Sequence, residues 1–492
     1  MAIQIDAEKK IFTLETDHTM YQMQADAYGV LRHLWYGAKT GCDMSYLQDY
    51  PDVGFSGNIY AAGNDRTYSL DTLPLEYAGA GVGDFRVPAV AAVHADGSSA
   101  LDLRYYSHTV KPGKYGIEGL PAVYAAEDEA ETLEVVLRDT ASAVEVTLLY
   151  AVLPALDLVT RCARIRNLGE TPVTLTKAAS LCLDISRGSW EWVHFHGRHA
   201  MERQMERRLL FHGIQEIGST RGTSSHHQNP TVLLCTPDCT ETAGACIGAA
   251  LVYSGSHQTR LECDQLGQVR MVMGIHPDLF RWELKAGETF STPEVMLSYS
   301  DTGLETLSHH FHQAIREHIC RGKYQLAERP VLINNWEATY FGFDTEKILH
   351  IAEEAARLGV DMLVLDDGWF GKRDDDCSGL GDWFVNETKL SGGLHDLVEK
   401  IKGMGMRFGI WFEPEMISED SDLYRKHPDW AIRIPDRAPM RSRYQLVLDM
   451  ANPEVQEYLF RVMSDVLHSA DISYVKWDMN RSISDWYTRT LP

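Results

Sequence analysis

The chain has 492 residues with a formal net charge of −24, 44% apolar and 24% charged residues. That balance suits a soluble protein of two or three domains and argues against nucleic acid or anionic membrane partners, which need basic patches. No run approaches the roughly 18 apolar residues of a membrane helix. Met1–Asp6 lacks the basic start and apolar stretch of a leader, and nine scattered cysteines without a C-x-x-C pair suit a reducing compartment, so the expected setting is cytoplasmic.

Residues 1–300 read as all-β. Apolar and polar residues alternate over 132–138, 144–150 and 173–176, with turn clusters at 95–99 and 167–172 between them, the pattern of an antiparallel sandwich. Residues 301–328 read as a helical linker: Asp301 is a candidate cap, and Leu304, Leu307, Phe311, Ile315 and Ile319 recur at helical spacing. From 329 to 492 the rhythm changes to strand, helix, strand. Apolar strands end at Asn334-Asn335-Trp336, at Asp366-Asp367-Gly368-Trp369, at Trp411-Phe412-Glu413 and at Lys476-Trp477-Asp478. Between them lie three helices, the first capped by Asp344 and stopped at Gly359. The second spans about 393–402, and the third has Asn452 as cap and Pro453 in the first helical position. Right-handed crossovers make such strands parallel. A (β/α)₈ barrel gathers its chemistry at the C-terminal strand ends, so the expected fold class is an antiparallel β-domain followed by the first four βα units of a barrel. Four more strands would complete it, and strands one and four are expected to have unpaired apolar edges.

The strand ends carry the chemistry. Side chains two apart on a strand share a face, so Lys476 and Asp478 point into the barrel mouth together and Trp477 points away. A lysine beside a carboxylate favours its charged form, and an ionised carboxylate in a cleft can attack an anomeric carbon; a structural salt bridge is the plainer reading of the same pair. Asp366 and Asp367 suit a polyol, since each carboxylate accepts from several hydroxyls. Trp336, Trp369 and Trp411 can lie against a sugar face or simply pack, and Arg443 offers a rigid fork of donors. Glu413 and Glu415 compete on chemistry alone for an acid role, but Pro414 between them marks the strand's end, so they read as scaffold or hydrogen-bonding residues. His194-x-His196 and His309-His310-x-His312 lack an evident third ligand, and no phosphate-binding glycine loop is present, so no metal or cofactor is expected.

Three segments, Leu365-Asp366-Asp367-Gly368-Trp369, Trp411-Phe412-Glu413-Pro414-Glu415-Met416 and Tyr474-Val475-Lys476-Trp477-Asp478-Met479-Asn480-Arg481, resemble the glycoside hydrolase family 36 α-galactosidases. Residues 66–77, 83–86 and 119–121 are similar to that family too. The resemblance implies an N-terminal β-supersandwich, a (β/α)₈ barrel, and retaining hydrolysis of terminal α-1,6-galactosides such as melibiose and raffinose. It places Asp478 on the nucleophile, Asp366, Asp367, Trp411, Arg443, Lys476 and Asn480 on the galactose-holding positions, and Trp336 near the subsite entrance. It implies a homo-oligomer, a tetramer in full-length form, with N-terminal residues reaching a neighbour's site; Asp52 and Arg66 are candidates for that. The family's acid/base aspartate would fall beyond Pro492, so the expectation is a truncated chain, inactive or nearly so on its own. A related galactosyl transferase, an α-N-acetylgalactosaminidase and a non-catalytic galactoside-binding protein are the alternatives.

Overall fold

The computed structural model of the protein describes residues 2–139, 141–185, 188–278 and 280–490. It divides into two compact units, residues 1–326 and 327–492. No helix among the described residues is long and apolar enough to cross a membrane.

The first unit is built from antiparallel sheets. A four-stranded sheet runs in chain order through Ile3–Asp6, Ile11–Glu15, Thr19–Ala25 and Leu31–Ala38. A larger sheet extends from the edge strand Met201–Leu209 to Arg104–Pro112, and another is organised around Val173–Ile185. The alternation in the sequence has its physical counterpart here. In Glu131–Asp139 the side chains of Leu133, Val135 and Leu137 are buried, and in Val144–Leu153 those of Val144, Val146 and Leu148 join the same core as Phe12, Tyr21, Leu181 and Met271. Charges are buried with this core. Glu76 meets Arg161 at 2.7 Å and accepts from Tyr150 Oη at 2.7 Å. Arg270 donates to both oxygens of Asp184 at 2.6 Å and to Asp84 at 2.6 Å.

The helix expected as a linker belongs to the first unit. Leu304–His318 buries Leu307, Phe311 and Ala314 against Cys246 and Met296 of the sheet. Asp301 does not cap it: the helix opens at Gly303, which adopts φ 95°, and the first amides of Leu304 and Glu305 donate instead to the carbonyls of Thr240 and Glu241.

The second unit carries four strands, β1 (Leu332–Asn334), β2 (Met362–Leu365), β3 (Arg407–Phe412) and β4 (Tyr474–Trp477), separated by α1 (Thr345–Arg357), α2 (Gly393–Gly403) and α3 (Pro453–Ser469). All neighbours are parallel and the sheet order is the chain order. The caps explain where the helices begin and end. Asp344 accepts from the Lys347 amide at 2.9 Å and Asn452 from the Glu454 amide at 3.0 Å. At the end of α1 the amides of Gly359 and Val360 donate back to Ala356 and Ala355, with Gly359 at φ 79° supplying the left-handed turn. The inner strands β2 and β3 are buried almost throughout, whereas Leu332 of β1 and Tyr474 and Trp477 of β4 are exposed. Gly409 of β3 pairs with Tyr474 of β4, and a Cβ there would lie 2.9 Å from the tyrosine ring.

Candidate active site

At the end of β4 the ladder continues one step beyond the strand, because the Asp478 amide donates to the Phe412 carbonyl at 2.8 Å. This holds Asp478 level with the end of β3. Its Oδ2 accepts from Trp411 Nε1 at 3.0 Å and from Asn480 Nδ2 at 2.9 Å, and its Oδ1 accepts from the Met479 amide at 3.1 Å. All three donors are N–H groups, so the carboxylate is met purely as an acceptor. Lys476 stands 4.0 Å from Oδ2, with its Nζ donating to Asp366 Oδ2 at 2.8 Å. Asp478 keeps 30% of its side chain exposed and Lys476 37%. The nucleophile candidate is thus anchored through one oxygen and accessible.

Asp366 and Asp367 follow β2 but sit in different surroundings. Asp366 receives Asn334 Nδ2 at 2.5 Å as well as Lys476, and its amide donates to Asn335 Oδ1 at 2.7 Å. It therefore joins β1, β2 and β4. Asp367 is gripped from the other side by Arg373, whose Nε and Nη2 reach it at 3.0 and 2.8 Å. Burial pushes the Asp367 carboxyl up, against the pull of that guanidinium.

Two glutamates follow β3. Glu413 is fully buried, accepting the Asn480 amide at 2.6 Å and Gln445 Nε2 at 3.1 Å. Burial pushes its carboxyl up to about 7. Glu415 takes the Trp477 indole N–H on both oxygens, at 3.0 and 3.1 Å. Among the described residues no group of three or more His, Cys, Asp or Glu is arranged to hold a metal ion.

Residues 29–285 match the model of the glycosyl hydrolase family 36 N-terminal domain, and residues 289–492 match the Melibiase model. The chain belongs to glycoside hydrolase family 36. It is 54% identical, over all of its own length and 52% of the relative's, to the bifunctional alpha-galactosidase/sucrose kinase AgaSK of Mediterraneibacter gnavus. The galactosidase domain of AgaSK superposes with a TM-score of 0.97 over 99% of this chain and 68% of that one. AgaA of Geobacillus stearothermophilus is 44% identical over the whole chain and 68% of its own length. Its structure in complex with raffinose gives a TM-score of 0.96 over 98% of this chain and 67% of that one, and a further structure of it holds stachyose. The chain therefore spans about half of AgaSK and about two thirds of AgaA.

Within this family 36 chain the expected site residues divide into two groups. Trp411 and Asn480 are hydrogen-bonded to Asp478, Lys476 to Asp366, and the two sets meet where Lys476 stands 4.0 Å from Asp478. Trp411 enters by its N–H alone. Its ring is 1% exposed, parallel to Phe370 at 6.1 Å and close to Trp383, so of the two readings of this ring the structure takes packing. Trp369 is fully buried too and donates to the Trp411 carbonyl at 2.9 Å. Trp336 lies in the short helix Trp336–Thr339 rather than at a strand end, edge-on to Tyr340 and Phe341. Arg443 is exposed on a loop where it and Tyr444 take φ 51° and 60°, and its influence is felt at Glu413, whose carboxyl it pulls down. In the first unit Asp52 and Arg66 pair with each other at 3.0 Å on an exposed loop. Sequence reasoning missed Arg373 as the partner of Asp367; an arginine six residues after a buried acid was the only available signal.

Proposed function

We propose that this chain supplies the nucleophile and the galactose-holding groups of a retaining α-galactosidase acting on terminal α-1,6-galactosides of the melibiose and raffinose type. The observation that carries the reading is Asp478, fixed through Oδ2 by an indole and an amide N–H while Oδ1 has only its own neighbour's amide. Oδ1 attacks the anomeric carbon, the glycosidic C–O bond breaks and a galactosyl ester forms, which water then hydrolyses. Asp366 and Lys476 accept from and donate to the galactose hydroxyls, and Asn480 and Trp411 hold the attacking group. A retaining enzyme needs a second carboxyl roughly 5–5.5 Å from the first to protonate the leaving oxygen. We assign that role to a residue outside these 492, because Glu413 is fully buried and Glu415 has both oxygens taken by the Trp477 indole. Parallel strands in chain order support the first half of a (β/α)₈ barrel. Nine free cysteines fit a reducing cytoplasmic setting, and a homo-oligomer is part of the same reading.

The test uses an aryl α-galactoside whose leaving group needs little acid assistance. Intact-mass spectrometry followed by peptide mapping is expected to find one galactosyl adduct on Asp478, absent in Asp478→Ala. Raffinose binding with no adduct in the wild type would favour a non-catalytic galactoside-binding protein. Transfer of galactose to added acceptor sugar would favour the transferase.

A further inference from the structure

We infer that Glu413 is a positioning residue for the nucleophile, tying the segment after β4 to the end of β3 through Asn480 and Gln445. The inference rests on the reading of Asp478 as nucleophile. The Met479 amide meets only Oδ1 of Asp478. Oδ2 is held by Trp411 Nε1 at 3.0 Å and by Asn480 Nδ2 at 2.9 Å. What holds Asn480 is its backbone N–H, which donates to Glu413 Oε1 at 2.6 Å, the shorter of the two contacts in the relay. The second oxygen of Glu413 accepts Gln445 Nε2 at 3.1 Å. Gln445 in turn is fastened by Arg481, which donates to its carbonyl at 2.5 Å. Glu413 thus joins three separate stretches of chain and is itself fully buried.

Burial is the largest influence on the protonation of Glu413 and leaves its carboxyl at about 7. The Asn480 amide, and Arg443 on the loop between β3 and β4, pull it down, while Asp478 after β4 and Asp367 after β2 press a proton onto it. Below that value the acid form carries a proton that needs an acceptor. Gln445 Oε1 is buried without a partner, so turning the amide over lets it accept from the acid, while Nε2 serves the carboxylate in the other state. The relay to Asn480 survives in the acid form. Ionisation instead places a third negative charge beside Asp478 and Asp367. Because the folded value is raised, this carboxyl's contribution to stability is complete below about 4.5 and is lost as pH climbs through about 7.

Glu413→Gln preserves the acceptor for Asn480 and mimics the acid form at every pH. Glu413→Ala takes away the side-chain acceptor of the Asn480 N–H. Two measurements on the whole chain separate this idea from the proposed chemistry. Hydrogen exchange at the Asn480 amide is expected to be slow in the wild type and in Glu413→Gln, and on the order of 10-fold faster in Glu413→Ala. Infrared difference spectra between wild type and Glu413→Gln are expected to contain a carboxylic acid band that titrates near neutral pH. The third readout is the saturable rate of Asp478 labelling by the aryl α-galactoside. Glu413→Ala is expected to lower the maximal rate about 10-fold with the half-saturating concentration little changed, and Glu413→Gln to recover most of that loss without the step near neutrality. Unchanged exchange and labelling in Glu413→Ala overturn the inference, as does failure of Glu413→Gln to recover what alanine loses. Exchange and infrared results as expected, with no labelling even in the wild type, uphold the tie and refute the nucleophile instead.

Discussion

Carboxylates are fixed in place in both units, but they are held by different groups. In the first unit Glu76 faces Arg161, and Asp184 takes two donors of Arg270. The Glu76 carboxyl is pushed up by burial yet ends below its usual value, because Arg161 and His33 outweigh that penalty. At the strand ends of the second unit Asp478 and Glu413 are held by an indole, amides and backbone N–H groups. A guanidinium cancels charge and makes a strut. Neutral donors fix direction and leave the anion its charge for an electrophile. Asp367, paired with Arg373, belongs chemically with the struts even though it follows the same strand as Asp366.

The contrast is broken most directly at Arg161. Arg161→Met leaves Glu76 buried without its cation, and the expected loss is about 3–5 kcal/mol, read from urea unfolding. Adding Glu76→Gln should restore much of it; a loss below about 1 kcal/mol for the single variant would mean that the pair is no strut. Lys476→Met sharpens the other side. Lys476 is 37% exposed, so solvent screening limits its ion pair with Asp366 to about 1 kcal/mol of stability or less. On the proposed function its expected signature is a loss of raffinose affinity of about 10-fold by calorimetry, since that reading makes Lys476 a charged donor to the sugar. Unfolding as damaging as that of Arg161→Met would erase the distinction between the units. The smallest change is Asn452→Ala, which removes the cap of α3 and should cost about 1 kcal/mol with raffinose affinity unchanged.

Much of this was legible in the sequence where the governing interaction is local. Alternation at 132–138 and over the first half of 144–150 follows from one face of a strand being buried, and the caps at Asp344 and Asn452 need only a side chain and an amide a few residues on. The pairing of Lys476 with Asp478 on one face of β4 is local too. What could not be read depends on closure in three dimensions. Trp411 looks the same in sequence whether its ring faces a ligand or Phe370 and Trp383. Glu413 acquires its importance from residues 445 and 480, distant in sequence and brought to it by the loop between β3 and β4. Leu304–His318 has the spacing of any amphipathic helix, and only the packing of Phe311 on the sheet shows which unit owns it.

The space left by the missing side chain of Gly409 sets a height. The Tyr474 ring packs 2.9 Å from where a Cβ would stand, at the foot of the strand that carries Lys476 and leads to Asp478. That strand cannot slide along its neighbour without lifting the ring from its seat. How far the Asp478 carboxylate projects from the sheet is therefore gauged at the opposite end of β4, by an atom that is not there.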